Sequence, residues 1–166
     1  MMHPRRFFFL LLILPLCLIA CDTPAQTHAV LTAMCSSQST LPAGQVYRME
    51  AVPGEAEYAE DELLSVLYGN GSLPSEFEVI NDFSIRLCGF AEPYELAVFR
   101  CVSTRDAYDV AQMCLRRADR IQISCRETPY SALVDNARVC ILGKYVLMAI
   151  CDDPLSAIAA GRQAAR

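Results

Sequence analysis

The chain has 166 residues, with 14 basic and 19 acidic side chains and a formal net charge of −5 at pH 7. This acidic balance disfavours nucleic acid and anionic membrane lipid as partners. Apolar and aromatic residues are spread along the whole chain, which argues against wholesale disorder. Removing the first 20 residues leaves 146 residues with a net charge of −7, enough for one domain and too few for two.

The first 20 residues have the layout of a bacterial secretory signal. Arg5 and Arg6 precede an apolar run of 14 residues that ends in Leu18-Ile19-Ala20-Cys21. These four residues resemble a lipobox, in which the cysteine is acylated and becomes the first mature residue. We therefore expect a lipoprotein signal peptide over 1–20, a lipidated Cys21 with a polar tether over 21–27, and a single domain over 28–166.

Two other interpretations of this segment remain open. Ordinary signal-peptide cleavage prefers a small residue where Leu18 stands. A retained membrane anchor needs roughly 20 apolar residues, more than this run provides. Several acyl chains on Cys21 would give a lasting tether, since each buried CH₂ contributes about 0.8 kcal/mol. The expected location is therefore the extracytoplasmic face of the cell membrane, with the membrane contacted through the lipid anchor.

Two helices and one edge strand are predicted in the first third of the mature chain. Apolar residues recur at helical spacing over 29–34, and residues 46–51 can form an edge strand. Acidic side chains over 55–62 favour the start of a second helix through its dipole, and Gly69 favours its end. These acids lack the spacing of a calcium-binding loop.

From Val79 onward the apolar period changes to two, which predicts antiparallel strands. The first of these strands places Phe83 and Ile85 on one face and polar residues on the other, as in a half-buried strand. A turn over 89–93 leads to a second strand over 95–102. A long helix should follow, with Ser103 or Thr104 as its N-cap.

The clearest local signal is a hairpin around Gly143 and Lys144. A two-residue turn at these positions would pair Leu142 with Tyr145, and a final helix should start near residues 152–154. The expected fold is α+β: an antiparallel sheet of about four strands, formed by two hairpins that a long helix joins. Further helices are expected at the N- and C-terminal ends.

Seven cysteines besides Cys21 follow the signal, and no two of them form a C-x-x-C pair. A zinc or thioredoxin-like site therefore has little support. Free cysteine behaves as a small hydrophobe, so most of these thiols are expected in the core. Disulfides between elements that are distant in sequence remain open. The seven positions are Cys35, Cys88, Cys101, Cys114, Cys125, Cys140 and Cys151.

Few side chains in the sequence are candidates for catalysis, metal binding or ligand binding. His28 is the only histidine after the signal, which argues against triads and histidine-based zinc sites. The acidic pair Glu92 and Glu95 flanks the first hairpin turn, and a hydrolase can work with two carboxylates. Arg86 and Arg100 lie on strand faces and are weak candidates for contact with an anionic ligand. No catalytic residue, metal site or cofactor is predicted.

Three segments in this order carry a family resemblance: 63–69 at the end of the acidic helix, 95–101, and the turn region 142–148. Together they resemble a family of small uncharacterised lipoproteins from Gram-positive anaerobes, catalogued as a domain of unknown function. The resemblance covers roughly residues 27–155. It implies a fold and a location, and it implies no activity.

These observations predict a membrane-anchored, non-enzymatic binding or interaction module. Its partners would be the membrane, through the lipid anchor, and an envelope protein or a small ligand. Two alternatives remain open: a small solute-binding or accessory component of an envelope system, and a cell-envelope hydrolase that uses carboxylates.

Overall fold

The computed structural model describes residues 25–89 and 92–166. The predicted signal peptide, the predicted lipidation site at Cys21 and most of the tether lie outside these ranges. Positions 90 and 91, within the predicted first turn, also lie outside them. No helix in the two described ranges is both long and apolar enough to cross a membrane.

In the part of the chain that the structure describes, five antiparallel strands form one sheet in the order β1-β2-β3-β5-β4. The α+β class is therefore confirmed, whereas the expected count of about four strands is one too low. The fifth strand is the short edge strand β1, which lies where the sequence allows an edge strand over 46–51 and pairs with β2 through Val46 opposite Arg86. The strands are β1 (Gln45–Arg48), β2 (Ile80–Leu87), β3 (Glu95–Cys101), β4 (Arg138–Leu142) and β5 (Tyr145–Ile150).

The described residues contain five α-helices, four of which cover the two faces of this sheet, while the fifth packs beside the long helix. The long helix between the two hairpins and the terminal helices match the predicted elements. A five-residue α-helix and a five-residue 3₁₀ helix over Ser75–Val79 were not predicted, because such short elements carry almost no periodic signal. The helices are α1 (Thr27–Ser36), α2 (Asp61–Tyr68), α3 (Thr104–Cys125), α4 (Ser131–Asp135) and α5 (Pro154–Ala164).

Each face of the sheet packs against its own pair of helices. On one face, α2 and α3 cover a core that contains the edge-to-face contact between Tyr68 and Phe99, with ring centroids 5.5 Å apart. On the other face, α1 and α5 pack over β3 and β5. Aromatic rings in such geometry contribute about 0.5–1.5 kcal/mol beyond the area they bury.

The polar face of β2 is partly buried, whereas the sequence pattern predicts that it is exposed to solvent. Ser84 is only 1% exposed, because α1 lies across this face. Its Oγ is 3.0 Å from Oγ1 of Thr27 at the start of α1, so the two hydroxyls satisfy each other. A buried hydroxyl without a partner would be costly. The alternating pattern therefore marks a helix contact here and not a solvated face.

Local signals at turns and caps are confirmed. Leu142 pairs with Tyr145 across the β4–β5 turn, where Gly143 has a φ of 57° that suits glycine. Ser103 caps α3: its Oγ accepts from the backbone N–H of Asp106 at 3.2 Å, and Asp106 Oδ2 accepts from the backbone N–H of Ser103 at 2.9 Å. This is a reciprocal capping box.

All seven cysteines of the described residues are free thiols. Three of them are buried and behave as core residues, and the other four are partly exposed. The buried ones are Cys101, Cys114 and Cys151.

Candidate ligand-binding cavity

A partly enclosed cavity of about 350 Å³ lies where the β2–β3 end of the sheet meets α2 and the C-terminal part of α3. Its volume falls within the range of small-molecule sites, roughly 300–1,000 Å³. Aliphatic side chains supply much of the wall, and a few polar groups converge at one point. The aliphatic lining residues are Val66, Leu67, Leu87, Pro93 and Ile121.

The polar part of the cavity is built on Glu95, the first residue of β3. Its side chain is 2% exposed, and the four residues that follow it on the strand are apolar. Tyr68 Oη donates a hydrogen bond of 2.6 Å to Oε1, and Arg117 Nε donates one of 3.0 Å to Oε2. Arg117 Nη2 lies 2.9 Å from the same oxygen. Both oxygens of the buried carboxylate are thus satisfied, as burial of a charge requires.

Tyr68 is held in its neutral form by this arrangement. Burial is the largest cause that raises its pKa well above the ordinary value of 10, followed by the negative charge of Glu95 and their hydrogen bond. The hydroxyl therefore remains a donor over the physiological pH range. Three elements meet at this carboxylate: β3 supplies Glu95, α2 supplies Tyr68 and α3 supplies Arg117.

A neighbouring arginine fixes the wall formed by α2. Arg120 donates hydrogen bonds to the carbonyl oxygens of Leu67 at 2.6 Å and of Gly69 at 2.7 Å. These carbonyls lie at the end of α2, where a helix leaves acceptors without partners, so the arginine caps it. Sequence periodicity places Arg120 on the outer side of α3, but it is partly buried against α2. Burial and the nearby Arg117 lower its pKa.

Two thiols lie on the cavity wall, Cys88 after β2 and Cys125 at the end of α3. Cys88 Sγ accepts a hydrogen bond of 2.8 Å from Arg86 Nη1. Burial raises the pKa of the Cys88 thiol, and the positive charge of Arg86 offsets this only in part. Because the thiolate is the reactive form, this cysteine is a weak nucleophile at neutral pH.

The two arginines suggested by the sequence do not form a common site. Arg86 also donates to the carbonyl oxygen of Pro42, and this contact holds the loop before β1. Arg100 lies 3.9 Å from Asp82. The register places Arg86 opposite Leu96, four residues before Arg100 on β3, which corresponds to about 13 Å. Neither arginine lines the cavity around Glu95.

The sequence indicates Glu95 as one of two acids near the first turn and does not indicate its partners. Glu92 also lines the cavity, so these two acids do share a site. The sequence signal for a buried carboxylate is that Glu95 begins a strand whose next four residues are apolar. Its partners Tyr68 and Arg117 lie on other elements, so their approach depends on tertiary packing. No cluster of three or more metal-binding side chains occurs within 25–89 and 92–166.

The pKa of Tyr68 predicts a loss of stability in alkali. The unfolded chain releases the Tyr68 proton near pH 10, before the folded protein does. The stability from neutral Tyr68 is therefore complete below pH 10 and is lost as the pH rises above it, by up to about 1.4 kcal/mol per pH unit. Urea unfolding across this range should show a flatter alkaline decline for Tyr68→Phe than for the wild type.

Tyr108→Phe is the matched control, because Tyr108 is 61% exposed. This variant should keep the wild-type decline. If Tyr68→Phe and Tyr108→Phe lose stability equally with rising pH, the assigned surroundings of Tyr68 are wrong.

Comparison with known proteins places the chain in no family. No family model, no curated protein and no solved structure matches it. The resemblance to small lipoproteins therefore stays a prediction.

Proposed function

We propose that the protein is an extracytoplasmic lipoprotein that binds a small ligand in the cavity around Glu95 and catalyses no reaction. The observation that carries this proposal is the cavity itself, with its largely apolar walls and a buried carboxylate whose two oxygens are both paired. Ligand sites commonly combine apolar walls with a few fixed polar groups that set orientation. Of the functions considered from sequence, the cavity favours the solute-binding one.

The lining indicates the chemistry of the ligand. Within the described residues, the hydrogen bonds of the Arg117 side chain go to Glu95, which leaves guanidinium N–H groups for a ligand oxygen. A guanidinium has five donors and binds carboxylates and similar oxygen groups well. The proposed ligand is therefore a small, largely apolar molecule with one anionic or carbonyl oxygen group.

Three features of the cavity support binding over catalysis. The Glu95 carboxylate has both oxygens engaged, so it is poorly placed to transfer a proton. The Cys88 thiol has a raised pKa. No histidine is among the lining residues, and histidine is the commonest general base.

The location follows from the lipobox-like residues that end in Cys21. Acylation with palmitate or similar chains would hold the domain at the extracytoplasmic face of the cell membrane, since several chains give a lasting anchor. The ligand would then meet the protein outside the cytoplasm. This part of the proposal depends on residue 21 and is tested separately from the cavity.

Lipidation is tested by mass. Protein extracted from membranes should lack residues 1–20 and exceed the mass of residues 21–166 by the mass of its acyl chains. Cys21→Ala should carry no acyl mass. Wild-type protein without acyl mass, or equal acyl mass on both proteins, would refute an anchor at Cys21.

Ligand binding is tested with anilinonaphthalene sulfonate, an apolar ring system with one anionic group. Fluorescence titration should give one saturable site on the folded protein. Ser124→Trp places an indole at the cavity wall and should weaken binding about tenfold, or about 1.4 kcal/mol.

Ile123→Trp is the matched control, one position earlier on α3. Ile123 is 65% exposed and does not line the cavity, so dye affinity should stay at the wild-type value. Equal affinities of all three proteins for the dye would place the bound dye outside the cavity and contradict its assignment as the ligand site.

A further inference from the structure

We propose that the end of the domain where the tether enters lies against the headgroups of anionic phospholipids. We call this end the tether pole and define it by Ala25, Arg100, Cys101, Lys144 and Arg166. The inference rests on the lipid anchor proposed above and adds an orientation to it. It names a protein surface that contacts the bilayer in addition to the acyl chains.

The start of the described chain is fixed to the sheet at this pole. Tyr145 Oη donates a hydrogen bond of 2.6 Å to the carbonyl oxygen of Ala25, and the backbone N–H of Thr27 donates one of 3.2 Å to Asp82 Oδ2. Cys21 precedes Ala25 by four residues, and four residues reach at most about 14 Å. An acylated Cys21 therefore keeps the tether pole close to the bilayer surface.

Basic side chains surround a groove at the same pole. The groove has a volume of about 480 Å³ and lies between the end of β3, the β4–β5 turn and the residues after α5. Arg100, Lys144 and Arg166 line it, and the last two are exposed. The backbone N–H of Cys101 donates to the carbonyl oxygen of Lys144 at 2.8 Å, which fixes the turn that carries the lysine.

The tether pole differs in charge from the rest of the domain. Its groove is lined by three basic side chains, Arg100, Lys144 and Arg166, and by no acidic one. Elsewhere in residues 25–89 and 92–166 the acidic side chains outnumber the basic ones by 18 to 9. Asp82, which lies 3.9 Å from Arg100, accepts from the backbone N–H of Thr27 at the start of α1, where its charge is offset by the helix dipole.

This distribution refines the expectation from net charge alone. A net negative charge disfavours anionic lipid for the molecule as a whole. It also means that an anionic bilayer repels the remainder of the domain, which has an acidic excess, and attracts the tether pole, as basic juxtamembrane segments are attracted to anionic surfaces. The tether and the charge distribution therefore favour the same orientation, with the tether pole against the bilayer.

The proposed ligand cavity then faces away from the membrane. Glu95 and Arg100 lie at opposite ends of β3, five residues apart, which corresponds to about 17 Å. The cavity is built around Glu95 and the end of α3, so a ligand reaches it from outside the headgroup layer.

The orientation is tested by the reactivity of Lys144, the only lysine in the chain. Arg126→Lys introduces a second amine beyond the far end of α3 without a change in charge. The lipidated variant is placed in phosphatidylglycerol vesicles or in non-ionic detergent micelles and treated with a neutral acetylating reagent. Peptide mass spectrometry then gives the ratio of the two reaction rates in the same molecule.

In phosphatidylglycerol vesicles the amine of Lys144 should react about tenfold more slowly, relative to the amine at position 126, than in micelles. The difference should shrink in phosphatidylcholine vesicles and in 1 M salt, where the screening length falls to about 3 Å. Equal ratios in vesicles and micelles would overturn the orientation and leave the anchor intact. If the reaction of Lys144 is slowed equally in phosphatidylcholine vesicles and in 1 M salt, the proposed role of the basic side chains is wrong. Protein without acyl mass would overturn the anchor as well.

Discussion

The buried carboxylate of Glu95 constrains the packing around the proposed site. A charge that is 2% exposed is tolerated only when it is paired and hydrogen-bonded. The pair Tyr68 and Arg117 meets this requirement, and because they belong to α2 and α3, the requirement fixes both helices against β3. The cavity is the space that remains between these elements, so its shape follows from the same constraint.

The strand β3 also separates the two surfaces to which functions are proposed. Glu95 begins the strand beside the cavity, and Arg100 lies near its other end beside the tether pole. Helices cover both faces of the sheet, so the polar positions of β3 are confined to its ends. A lipid-anchored binding protein would gain from this division, because ligand and membrane would contact opposite ends of one rigid strand.

Features encoded by neighbouring residues were predictable, and features that depend on distant packing were not. The β4–β5 register follows from Gly143 and the flanking apolar residues, and the cap of α3 follows from Ser103. The burial of Ser84 could not be deduced, because β2 alternates as a solvated strand would while α1 covers it. Likewise, the sequence indicates Glu95 only as an acid near a turn, because its contact with Arg117 joins two residues that are 22 positions apart in the chain.

The most direct test of this account is the free energy of unfolding at neutral pH for substitutions at Arg117 and Glu95. Arg117→Met should cost about 3–5 kcal/mol, because it leaves a buried carboxylate without its cation. Adding Glu95→Gln to this variant should recover much of the lost stability. The control is Arg116→Met, which should cost no more than about 1 kcal/mol, because Arg116 is 54% exposed and pairs with Glu76. If Arg117→Met costs as little as Arg116→Met, or if the losses at Arg117 and Glu95 simply add, the buried pair does not organise this fold.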